Sequence, residues 1–101
     1  PWDLVVANLP YIPTADIDDL PEEVRHDPPE ALDGGPDGLD LVRRLVGDLP
    51  RLLRPCGGAV LELYEDQADA VAELAAAAGL GVARRIKDPG GCDRVIVLQP
   101  R

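Results

Sequence analysis

The sequence predicts an α/β fold, one half of a three-layer sandwich that ends in an antiparallel hairpin. Three observations carry this. Short apolar runs rich in β-branched residues alternate with stretches of helical periodicity. The first of these runs is apolar on consecutive positions, as in a buried strand of a parallel sheet. The last two are separated by a turn too short for a helical crossover, so they must lie antiparallel. The 101 residues suffice for one small domain, residues 1–101.

The elements follow in order. Asp3-Leu4-Val5-Val6-Ala7-Asn8 reads as the first strand and ends abruptly before Pro10. Leu9 to Pro36 is rich in proline and acids and reads as loop, with helical turns expected at Thr14 or near Pro21-Glu22-Glu23. Leu41, Val42, Leu45, Val46, Leu49 and Leu52 then form one helical stripe, with Asp37 as the candidate cap and Pro55 and Gly57-Gly58 as the stop. Ala59 to Leu63 is the second strand. A second helix is expected to start at Glu65 or Asp66, to present Ala68, Val71, Ala72, Leu74 and Ala75, and to close at Gly79. Gly81–Lys87 and Arg94–Leu98 are the third and fourth strands, joined by the turn residues Asp88-Pro89-Gly90-Gly91.

Composition excludes several function classes. No apolar run approaches the ~20 residues that span a bilayer, and no signal-peptide pattern opens the chain, so a cytoplasmic, non-membrane protein is expected. Net charge is -9 and aromatics total 3% with no Phe, which leaves this piece no basic footprint and little stacking surface for nucleic acid. Cys56 and Cys92 stand far apart with a lone His26, so free thiols and no metal site are expected. The chain contains no Met and runs from Pro1-Trp2-Asp3 straight into a strand, which leads us to expect a piece of a longer protein.

Ligands of open parallel sheets bind beyond the carboxyl ends of the strands. Here those residues are Asn8-Leu9-Pro10-Tyr11. The Asn8 side-chain oxygen and the Leu9 carbonyl can both accept from an NH₂ group. Pro10 stiffens the turn, and Tyr11 offers a flat face to a planar group. The set suits an amide or the exocyclic amine of a base, and the four residues alone do not choose between them.

The wider sequence resembles the HemK/PrmC family of protein-glutamine N5 methyltransferases. The family's Asn-Pro-Pro-Tyr followed by Ile-Pro appears as Asn8-Leu9-Pro10-Tyr11-Ile12-Pro13. Glu23-Val24-Arg25, Asp27-Pro28, Ala31-Leu32, Gly34-Gly35 and Asp37-Gly38-Leu39-Asp40 follow the same pattern, as do Arg54-Pro55-Cys56-Gly57-Gly58, Leu61-Glu62-Leu63 and Asp93-Arg94-Val95. Three positions depart: Leu9 replaces the first Pro, Cys56 a Gly, and Tyr64 a Gly. Leu9 and Tyr64 are closer to a PrmC-like side group.

The resemblance implies the C-terminal half of a class I methyltransferase domain. It further implies S-adenosyl-L-methionine as methyl donor, bound mainly by a glycine-rich half absent from this chain, whose Gly34-Gly35 and Gly90-Gly91 read as turns. The acceptor implied is a glutamine side-chain nitrogen, of a peptide chain release factor or a related protein. Asn8 would accept from the amide NH₂ through its side chain and Leu9 through its carbonyl, while Tyr11 packs against the amide plane. Such orientation lowers a barrier by up to ~7–11 kcal/mol in the best cases. The alternatives are an adenine-N6 methyltransferase of RNA or DNA, and a non-catalytic half-domain. The first strand is expected to offer an open edge and to drive self-association or marginal stability. Asp16, Asp18, Asp19, Glu22 and Glu23 read as a solvated acidic loop. Glu62 is expected either to reach the cofactor site or to satisfy nearby backbone amides.

Overall fold

A computed structural model describes residues 2–19 and 33–101. The motif residues Glu23-Val24-Arg25, Asp27-Pro28 and Ala31-Leu32, the expected turn near Pro21 and His26 lie outside the described residues.

The described residues run β1 (Trp2–Ala7), a 3-10 turn (Thr14–Asp19), α1 (Asp40–Leu52), β2 (Leu53–Glu62), α2 (Ala68–Ala77), β3 (Leu80–Lys87) and β4 (Asp93–Pro100). The sheet order is β1-β2-β4-β3. β1 and β2 are parallel, with Val5 opposite Ala59 and Ala7 opposite Leu61. β4 is antiparallel to β2 and to β3. The strand–helix alternation and the closing hairpin thus stand as the sequence indicates.

One face of the sheet holds the core. Ala59, Leu61, Ile96 and Leu98 meet Val42, Val46 and Leu49 of α1 and Val71 and Ala75 of α2, with Val5 and Ala7 packed at the margin. The apolar stripe therefore buries its inner residues, and Leu41, Leu45 and Leu52 at its borders are half-buried. On β1 the alternate positions point the other way: Trp2 is 62%, Leu4 60% and Val6 70% exposed. The described chain contributes one helical layer and the sheet of a sandwich, and β1 lies at the sheet's edge with an apolar face turned to solvent.

Four boundaries differ from expectation, each for an identifiable reason. α1 begins at Asp40, not beside Asp37. The Asp37 carboxylate instead accepts from the Leu39 amide at 3.0 Å and pairs with Arg43, closing the turn ahead of the helix. The Arg43 guanidinium holds the Asp37 carboxyl below the usual carboxylate range. α1 ends at Leu52, before Pro55. Pro50 in the last turn has no N–H to give, and the Leu53 amide donates to the Leu49 carbonyl as buried Leu53 turns into extended backbone.

β2 consequently begins six residues earlier than Ala59. Arg54 to Gly57 form the irregular stretch between the pairings Trp2–Leu53 and Leu4–Gly58. A side chain at Gly57 would stand 2.9 Å from the Trp2 carbonyl, so glycine lets the two backbones approach. α2 starts at Ala68, because Asp66 takes a left-handed conformation at φ 59°. Gly79 closes it at φ 84° as expected. In the hairpin turn, the Asp88 carboxylate accepts from the amides of Gly90 at 2.8 Å and Cys92 at 3.1 Å.

The two faces should differ in cost when truncated. Ile96→Ala is expected to remove about 2–5 kcal/mol of stability, and Ile86→Ala, on the exposed edge strand, about 0.5 kcal/mol or less. Urea denaturation of both variants measures this; equal losses would contradict the assignment of the core to the Ile96 face.

Candidate functional site

Parallel pairing of β1 with β2 sets their carboxyl ends side by side. Asn8, Leu9, Pro10 and Tyr11 leave the first, and Glu62, Leu63 and Tyr64 leave the second. The Tyr11 hydroxyl donates to Glu62 Oε1 at 2.8 Å. The Tyr11 and Tyr64 rings stack, with centroids 5.9 Å apart and planes inclined by 29°. Glu62 therefore anchors the phenol of the turn, and none of the backbone amides among the described residues donates to it. Tyr64, noted in the sequence only as a departure, covers one side of Tyr11.

The backbone of the turn is fixed from beneath. Gln67, 5% exposed, donates through Nε2 to the Tyr11 carbonyl at 2.8 Å and to the Asp37 carbonyl at 3.4 Å, and accepts from the Tyr64 amide at 2.9 Å. Beyond Tyr11, buried Ile12 pairs with Asp33, and its carbonyl accepts from the Gly34 amide at 2.8 Å. Thr14 donates its hydroxyl to Asp33 at 2.7 Å, which with the Gly35 amide holds the Asp33 carboxyl below its usual range. Asn8 itself is exposed, and its side chain makes no hydrogen bond to any described residue.

The electrostatics follow from this packing. Burial first, then the hydrogen bond to the Glu62 carboxylate and its charge, push the Tyr11 phenol up to about 12, with Arg94 opposing. Burial also raises Tyr64, assisted by the charges of Asp16 and Glu65. Both phenols are protonated throughout the neutral range. Cys56 and Cys92 are free and exposed. Among the described residues no group of His, Cys, Asp and Glu could hold a metal ion.

The glycines test whether a nucleotide-like cofactor has a cradle here. The Gly38 amide donates to the Gly35 carbonyl, the Gly35 amide to Asp33, and the Gly34 amide to Ile12; the Gly90 amide is spent on Asp88. These amides are consumed within the chain, so these four glycines do not form such a cradle. The described residues do form a tied turn that carries exposed Asn8 close to an aromatic pair.

A sheet ordered β1-β2-β4-β3, with an Asn-x-Pro-Tyr turn after its first strand, is consistent with the C-terminal half of a Rossmann-like methyltransferase. Comparison with known proteins carries this further. The chain is 50% identical over 97 residues to the release factor glutamine methyltransferase of Caulobacter vibrioides, covering 95% of this chain and 34% of that protein. It is 54% identical over 77 residues to the namesake from Moorella thermoacetica, covering 76% of this chain and 27% of that protein. The ribosomal protein uL3 glutamine methyltransferase of Burkholderia pseudomallei is 41% identical over 68 residues, covering 67% of this chain and 22% of that protein. No family model matches the chain. The chain matches a segment of HemK/PrmC-type proteins, and it spans about a third of the length of the curated relatives it matches.

Of the site residues read from sequence, Asn8, Leu9, Pro10 and Tyr11 stay together at one strand end. Gln67 was not legible: a single glutamine ahead of a helix carries no pattern. The raised phenol gives a test. Because its folded value lies above the unfolded one, the stability contributed by Tyr11 is complete below pH 10 and is lost as pH rises toward about 12. Glu62→Gln removes the carboxylate and should bring the Tyr11 phenolate absorbance titration down toward the free value, without reaching it since burial remains. An unchanged titration would refute the Tyr11–Glu62 contact.

Proposed function

We propose that this chain forms the acceptor side of a methyltransferase that modifies a glutamine side-chain nitrogen of a translation protein, using S-adenosyl-L-methionine held by the rest of the domain. The observation that carries the reading is the Asn8–Tyr11 turn, fixed at the ends of β1 and β2. The names of the relatives support the acceptor type.

An amide nitrogen is a weak nucleophile, since its lone pair is delocalised into the carbonyl. The chain's contribution is to hold that nitrogen and to stabilise the positive charge that develops on it. The Asn8 side-chain oxygen accepts from one N–H and the Leu9 carbonyl from the other, so Leu in place of Pro at position 9 keeps the acceptor. Pro10 restricts the turn. Tyr11, backed by Tyr64 and tied to Glu62, presents its ring to the amide plane. A release factor substrate would put the activity in the cytoplasm, and the net charge of -9 argues against nucleic acid as a partner of this segment.

In the complete protein, Asn8→Ala is expected to lower methyl transfer to a purified release factor on the order of a hundredfold, with S-adenosyl-L-methionine affinity unchanged. Ribosomal protein uL3, assayed in parallel, separates the two substrate classes. An unaltered rate would remove Asn8 from the role given to it.

The exposed β1 edge bears on the isolated chain. Trp2, Leu4 and Val6 on one face, beside unpaired backbone groups, favour pairing with a second copy. Sedimentation of the isolated chain should show concentration-dependent association that Val6→Lys weakens. A monomer at every concentration, with a sharp cooperative melt, would contradict this.

A further inference from the structure

Gln67 is the one buried polar residue among those described, and both its amide oxygen and its amide nitrogen find backbone partners. Its orientation follows from its partners: a backbone amide can only donate and carbonyls can only accept, so the oxygen faces Tyr64 and the nitrogen faces Tyr11 and Asp37. Three separate segments meet on this one group: the turn after β1, the turn before α1, and the turn after β2. Gly38, at φ 81°, completes the arrangement. A Cβ there would stand 2.6 Å from Gln67 Nε2 and would also clash with the Tyr11 carbonyl. The close approach of these backbones therefore depends on glycine at 38 and on an amide at 67.

The Tyr11 carbonyl lies three residues from Asn8 and is separated from it by Leu9 and Pro10, whose ring limits rotation. Fixing that carbonyl fixes the pitch of the whole turn. The same amide fixes the Tyr64 backbone, hence the ring that backs Tyr11. We infer that Gln67 is the positioning residue of the acceptor turn: it sets the aim of Asn8 and the Leu9 carbonyl and the spacing of the Tyr11–Tyr64 pair, without touching substrate. The inference rests on the glutamine-acceptor reading above.

Two variants of the complete protein test it, with a purified release factor as acceptor and each rate expressed per molecule able to bind S-adenosyl-L-methionine. Gln67→Met keeps the length and removes every hydrogen bond. It should lower kcat by ~10²-fold, the cost of a misplacement near 1 Å, and leave the S-adenosyl-L-methionine Kd unchanged. Gln67→Glu keeps an acceptor for the Tyr64 amide and, when protonated, one donor for the Tyr11 carbonyl. A carboxyl buried against two carbonyls favours its neutral form. The kcat of Gln67→Glu relative to the unaltered protein should therefore be highest at low pH and fall as pH rises and the donor is lost. Taking the ratio removes the pH dependence that the two proteins share.

A purely structural glutamine would lower the yield of binding-competent protein and leave both kcat and the pH ratio intact; that result would overturn the inference. If Gln67→Met does not fold, the Gln67→Glu pH ratio decides alone. Asn8→Ala, run alongside, separates the two levels. Should it leave the rate intact, the acceptor reading itself is wrong. Should it abolish transfer while both Gln67 variants run at the unaltered rate, only the role of Gln67 falls.

Discussion

The parallel register of β1 against β2 is the constraint on which the rest depends. Val5 opposite Ala59, Val6 opposite Val60 and Ala7 opposite Leu61 bring two strand ends, more than fifty residues apart in sequence, to the same level. Only in that register can the Tyr11 phenol reach Glu62, the Tyr11 and Tyr64 rings overlap and the Gln67 amide bridge their backbones. A slip of one residue would also turn Val5 and Ala7 out of the core and Val6 into it. Burial of one strand face and construction of the site are thus two consequences of one pairing.

The core is one-sided, and this shapes what the chain can do by itself. α1 and α2 cover the Ala59–Leu61–Ile96–Leu98 face, while Trp2, Leu4 and Val6 remain outward. An apolar strand apolar on both faces makes sense in a sheet covered on both sides. The relatives, about three times as long, have the chain length for such a second layer. The glycine amides near the turn are bonded internally, and the proposed role of the chain therefore draws on acceptors and aromatic rings.

Much of this was legible in the sequence. Alternation of β-branched runs with helical stripes indicated the element order, and Asp88-Pro89-Gly90-Gly91 the hairpin, because these signals are local. The Asn8–Tyr11 segment was legible as a turn because Asn and Pro favour turns, and its reading as an acceptor site came from the wider resemblance. The starts of α1, β2 and α2 were not. Two depend on contacts across the fold, Leu53 being drawn in opposite Trp2 and Gln67 forgoing the capping of α2 to bond Tyr11, while at α1 Asp37 turns instead to its neighbours Leu39 and Arg43. Glu62 could be placed at a strand end, but its partner could not, since that partner arrives from another strand.

The central claim is that this chain supplies the acceptor side of the reaction and lacks the methyl-donor site. Calorimetric titration of S-adenosyl-L-methionine into this chain and into the complete protein tests it most directly. Saturable binding by the complete protein alone is the predicted result. Saturable binding by these 101 residues would contradict the claim and require a donor site among β1–β4 and their turns.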